Sequence, residues 1–211
     1  MRKPAPTDLP VLDAIRERWS PVAFHADKPV EREKLRACFE AARWAASSQN
    51  EQPWAFVAGD KHADLDTWSR VFETLADANR AWANTAPVLI LSVMKRAFDR
   101  NNNPNPTAQH DTGMAVAHFV LQAVAEGLHT HQMGGYDANK ARQVFGIPDT
   151  HAPVAVIALG YAAPSDVLDD PKLQTRNNNG ERVRKPLSDF VYGGTGAWGE
   201  PSPLIESSQH L

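Results

Sequence analysis

Residues 43–57 read RWAASSQNEQPWAFV, and the fold turns on how this stretch is parsed. An Ala-rich helical run stops at Ser47-Ser48-Gln49-Asn50-Glu51-Gln52, Pro53 follows, and Trp54-Ala55-Phe56-Val57 has the apolar, aromatic character of a strand. A helix-to-strand junction needs only one or two polar turn residues. Here two hydroxyls and three side-chain amides fall within six positions. Such groups donate to and accept from a heteroaromatic ligand rich in carbonyls and ring nitrogens. The expectation is a binding site built into the turn, with a plain capped turn as the alternative.

On the N-terminal side, Asp8 to Trp19 is expected to be helical, with Val11, Leu12, Ile15 and Trp19 on one face. A second helix opens at Pro29 and carries Leu35, Cys38, Phe39, Ala42 and Ala46 at helical spacing. On the C-terminal side, the pattern predicts a strand over Trp54–Ala58, one helix from Leu65 to about Trp82, and a buried strand over Pro87–Met94. Residues 99–110, DRNNNPNPTAQH, read as a polar loop. Thr112–Glu126 is apolar nearly all round, which suits a core or a subunit interface. A strand His129–Met133, a Gly134-Gly135 turn, a helix Ala138–Phe145 and a strand Val154–Tyr161 follow, then a polar connection over 162–185. Strands and helices interleave in this order around one expected sheet of four or five strands. A single domain over residues 1–211 is expected, with a C-terminal extension from about 186 that docks on a partner subunit.

Bulk properties narrow the function. The chain has 211 residues, 22 basic and 25 acidic, for a net charge of -3, which favours neither a nucleic-acid binder nor a polybasic membrane protein. No apolar run approaches the roughly 18 residues of a membrane span. MRKPAPTDLPVLDAI has no signal-like apolar region, so a cytoplasmic location is the expectation. The one cysteine, Cys38, excludes an intrachain disulfide and a thiol-rich metal cluster.

Four stretches carry possible chemistry. Arg18-Trp19-Ser20 offers a guanidinium fork and a hydroxyl suited to a phosphate, although a solvated helix end reads the same way. The Ser47–Gln52 cluster is the second. HQMGGYD, residues 131–137, has two glycines after a strand, which permit close approach of backbone to a flat ligand; a tight turn capped by Asp137 is the alternative. Arg182 and Arg184, at alternate positions of an extended segment, point the same way and can clamp a dianion or form a solvated basic patch. His129 and His131 share a strand face, but no third ligand stands at metal-site spacing, so no metal is expected. There is no Gly-x-Ser-x-Gly, no Gly-x-Gly-x-x-Gly and no Walker loop.

Taken in order, Arg-x-Ser, then Ser-Ser-x-Asn-x-Gln-Pro-Trp, then Gly-Gly-Tyr-Asp, then Arg-x-Arg resembles the FMN-dependent nitroreductase family over residues of about 11 to 190. The resemblance implies an α+β, nitroreductase-like fold with a central, mostly antiparallel sheet of four to five strands flanked by helices, a segment-exchanged homodimer and one FMN per interface, lined by both chains. It implies hydride transfer from NADH or NADPH through the flavin to a nitroaromatic, quinone or enone. By residue, it implies that Arg18, Trp19 and Ser20 meet the phosphate side of FMN. Ser47, Ser48, Asn50 and Gln52 would come from the second chain, and Asn79 would contact the ring or ribityl chain. The backbone of Gly134 and Gly135 would face flavin N5, and Arg182 and Arg184 would clamp the phosphate. No catalytic acid or base is implied. Two positions depart from the family pattern: Val22 and Trp82 stand where many relatives carry a cation, with Arg80 as a substitute. That departure supports an alternative, a flavin-storage protein without turnover; a specialised biosynthetic member of the family is another. Residues 96–110 and the helix around Trp68 and Phe72 are the candidate lids.

Overall fold

The computed structural model describes residues 2–193 and 198–205. The chain divides into two units, Met1–Asn179 and Gly180–Leu211. In the first, four strands form one antiparallel sheet in the order β1-β2-β4-β3: β1 Trp54–Asp60, β2 Val88–Lys95, β3 His129–Met133 and β4 His151–Gly160. The fold is thus α+β with a fully antiparallel sheet, at the lower of the strand numbers expected.

The central strand β2 shows why the sheet is covered on both faces. Residues Val88 to Leu91 are all fully buried, and alternate side chains point to opposite faces. Leu89, Leu91 and Val93 pack with Trp68, Val71, Leu75 and Trp82, from α3 (Leu65–Phe72), the residues after it and α4 (Asp77–Ala83). Val88 and Ile90 pack with Cys38 and Ala42 of α2 (Arg32–Arg43) and with Ala115, Phe119 and Val120 of α5 (Ala108–Ala125). The apolar wrap of α5 is therefore mainly core. Its remaining stripe includes Gly113 and Ala117, which are exposed, and Leu121 and Val124, which are half-buried.

Helix one is shorter than its apolar spacing predicts: α1 spans Asp13–Glu17, and Leu12 and Ile15 stay exposed. Helix α2 likewise begins at Arg32, past Pro29. The helix expected over Leu65–Trp82 is two helices. Residues 73–76 leave the helical path because they bond elsewhere: Ala76 N–H donates to Gly135 O at 3.0 Å, and Asp137 N–H donates to Thr74 O at 2.7 Å. Arg80 then caps the released carbonyls of Leu75 (2.7 Å) and Glu73 (2.9 Å). The 162–185 connection contains α7 (Pro171–Asn178), opened by Pro171 at its first position and by the Asp170 side chain as cap. Helix α6 (Ala138–Phe145) is capped by Asp137 and ends at left-handed Gly146.

The second unit, taken alone, is short coil with 3-10 turns at Leu187–Asp189 and Pro203–Ile205. Ser202 N–H donates to Val191 O, and Tyr192 packs on Trp198 at 5.2 Å. Trp198 and Leu204 are almost fully exposed, at 92 and 93 %. Residues 194–197 and 206–211 of the predicted docking extension lie outside the described residues.

Candidate functional site

The Ser47–Gln52 turn is wound tightly at the start of β1. Gln49, Asn50 and Gln52 all take left-handed backbone angles, with φ of 57°, 55° and 53°. Each such residue costs on the order of 1–3 kcal/mol unless its surroundings impose it. Here Gln52 N–H donates to Ser47 Oγ at 2.9 Å, and Ser48 N–H donates to the buried carboxylate of Asp111 at 3.0 Å. Thr107 Oγ1 stands 3.1 Å from the same carboxylate oxygen. On the other flank, Asp99 N–H donates to Glu51 Oε1 at 2.6 Å. The turn is held from two sides, and the side chains of Asn50 and Gln52 are left exposed.

Arg18, Trp19 and Ser20 sit at the opposite edge of the sheet, against β3. Arg18 Nη1 donates to Ser20 Oγ at 3.1 Å. Trp19 turns inward at 6 % exposure, edge-on to His129 at 5.5 Å, with Lys3 Nζ 4.3 Å above its ring. Its indole thus anchors the segment rather than facing outward. The next residues are fixed as well: His131 Nδ1 donates to Pro21 O at 2.7 Å, and Val22 N–H donates to Asn177 Oδ1 at 3.1 Å. His129 and His131 are pushed down to about 4, first by burial; the charges of Arg176 and Arg18 act in the same direction on His131. Both imidazoles are therefore neutral at pH 7. They pack against Trp19 and Trp82, the latter 4.5 Å from His131.

Asn79 joins this edge. Its Nδ2 donates to Gly135 O at 2.9 Å. A Cβ on Gly135 would lie 2.8 Å from that amide, whereas one on Gly134 would meet nothing within 4 Å. A side chain at 135 would thus displace the Asn79 amide, while 134 faces open space. Arg182 and Arg184 belong to the second unit, where Arg184 Nη1 donates to Val183 O at 2.7 Å.

The structure therefore brings Arg18, Ser20, Asn79, Gly134 and Gly135 to the β3 edge of one chain. It keeps Ser47, Ser48, Asn50 and Gln52 at the β1 edge. These edges are three strand spacings apart, roughly 14 Å. Three neighbouring side chains have structural roles. Trp82 is a fully buried core residue, Trp68 is buried with its indole N–H on Ala86 O, and Arg80 is occupied as a cap. Asp111, Asn177 and Lys3 escape sequence reasoning because their partners lie 63, 155 and 174 residues away.

Comparison with known proteins gives a consistent answer. The family model described as "Nitroreductase family" matches residues 15–161. A crystal structure of an "oxidoreductase containing FMN" superimposes with TM-score 0.80 at 31% identity, covering 89% of this chain and 93% of that one. An uncharacterized 15.4 kDa protein of Mycolicibacterium smegmatis is 31% identical over 154 residues, 69% of this chain and 98% of the relative. The NADH dehydrogenase of Thermus thermophilus is 29% identical over 184 residues, 74% of this chain and 89% of the relative.

Proposed function

The chain belongs to the nitroreductase family, and on that premise we propose that it is an FMN-dependent oxidoreductase drawing on NADH or NADPH. Its acceptor is a small organic molecule of the nitroaromatic, quinone or enone class. The reading is supported by the solved relative that contains FMN and the relative named for NADH oxidation. When bound, FMN would supply the hydride-transfer chemistry between nicotinamide and acceptor in a ping-pong cycle, and the residues of this chain would hold and orient it.

The residues present fit that group. Arg18 and Ser20 offer a cation and a hydroxyl on one side of an anion. The open space at Gly134 admits a flat ring against exposed backbone. Asn79 holds that backbone in place through Gly135 O. Trp19 anchors the segment that carries Arg18. Ser47, Ser48, Asn50 and Gln52 supply the remaining hydroxyl and amide partners.

One observation carries the quaternary part of the reading. The two groups of donors stand on opposite edges of the sheet, roughly 14 Å apart, which suits their belonging to different chains around one cofactor. We assign the Ser47–Gln52 half to a second copy of the chain, making a homodimer with shared sites on which the extension from about residue 186 docks. Val22 and Trp82, the sequence grounds for a storage protein, are both buried core positions, so no observation favours that alternative. The test is a visible spectrum of the purified protein followed by anaerobic titration with NADH and NADPH. A flavin spectrum that bleaches is expected. Protein that neither holds nor takes up flavin overturns the reading, and a colour that persists makes the protein a binder.

A further inference from the structure

The segment that carries Arg18 brings only one guanidinium, because Val22 is buried and apolar. A phosphate monoester near neutral pH carries close to two negative charges, so Arg18 alone leaves part of that charge unneutralised within this unit. The last turn of α7 lies against this segment. Asn177, 1 % exposed, accepts the Val22 N–H through Oδ1 at 3.1 Å, and its Nδ2 points to Ala163 O at 3.4 Å. Lys3 ties the same two parts together: its Nζ donates to Asn177 O and to Asn179 O, the latter at 2.7 Å, while lying over the Trp19 ring. The residue before Asn177 is Arg176, which is exposed and has no carboxylate partner among the described residues. Many other arginines of this unit are paired, as Arg43 is with Glu40 and Arg142 with Asp149.

We propose that Arg176 is a phosphate-binding residue, acting with Arg18 and Ser20 on the phosphate of FMN. Asn177 and Lys3 act behind it as positioning residues that lock α7 to the Arg18 segment. This rests on the FMN reading above. Its support is the bonding of α7 to Val22, together with the field at His131, which feels the charge of both Arg176 and Arg18. The assignment concerns the phosphate and not the ring, so it separates two flavins that differ only there.

The experiment compares FMN with riboflavin, which lacks the phosphate, by fluorescence titration of deflavinated wild type and of Arg176→Ala and Arg176→Lys. Loss of one charge-assisted contact is expected to weaken FMN roughly tenfold, to leave riboflavin unchanged, and to be partly restored by lysine. Arg176 is exposed, and a matching circular dichroism spectrum and melting temperature check the fold. Unchanged FMN affinity, or equal loss for FMN and riboflavin, overturns the assignment. So does a variant that binds FMN normally but has a raised KM for NADPH alone, which would move Arg176 to the nicotinamide's 2′-phosphate. If the wild type binds neither flavin, the FMN reading itself falls and takes this assignment with it.

Discussion

Asp111 shows how much of this site depends on one atom. Its buried carboxylate accepts the Ser48 N–H at the head of a turn with three left-handed residues. Removing the acceptor leaves a half-buried N–H without its partner, at a cost of about 1 kcal/mol. Asp111→Ala is therefore expected to lower the denaturation midpoint and weaken FMN. Asp111→Asn keeps an oxygen at the same place and is expected to recover most of both. Equal losses in the two variants would rule out the acceptor role. His131 supplies a prediction in pH. Burial holds its folded pKa at about 4, below the ordinary 6.5, so the unfolded chain binds the proton first as pH falls. Its contribution to stability is full above about 6.5 and is lost progressively toward about 4. In urea melts between pH 4 and 7, His131→Asn is expected to have a shallower pH dependence than wild type.

The elements follow the same physics at larger scale. Gly59 of β1 allows α3 to cross directly against the strand: a Cβ there would stand 2.2 Å from Trp68 N. That neighbour is backbone and cannot swing away. Gly59→Ala is expected to cost at least about 1–3 kcal/mol, read as a lower urea midpoint; an unchanged midpoint would mean the strand and helix separate easily. The strands were legible in advance, because β2 is a run of β-branched and aliphatic residues and the others end at polar turns or glycines. The break between α3 and α4 was not. Phe72, Leu75 and Ala76 continue the helical spacing with no Gly or Pro, and the break is imposed by partners about 60 residues later, at Gly135 and Asp137. Helix α7 was hidden for the opposite reason: PKLQTRNN has too little apolar character to show a period, and a Pro and an Asp cap start it instead.

At the scale of the whole molecule, the assignment of Ser47, Ser48, Asn50 and Gln52 to a second chain came from the family resemblance, and the strand order that sets them apart from Arg18 did not show in the sequence. Ser47, Ser48, Asn50 and Gln52 announce ligand chemistry by density alone. Which edge of a sheet they occupy depends on strand order, and β1-β2-β4-β3 is not written in any local pattern. Dilution gives one check: flavin content is expected to fall as a dimer dissociates, with every donor intact in each chain. The separation of the two edges has a genetic counterpart. A chain crippled by Arg18→Ala and a chain crippled by Asn50→Ala carry lesions that fall in different halves. Co-expressed, they form mixed pairs in which one pocket inherits both lesions and the other inherits neither. With random two-fold pairing, about one quarter of all pockets are restored. Two inactive alleles would thus complement each other inside a single protein.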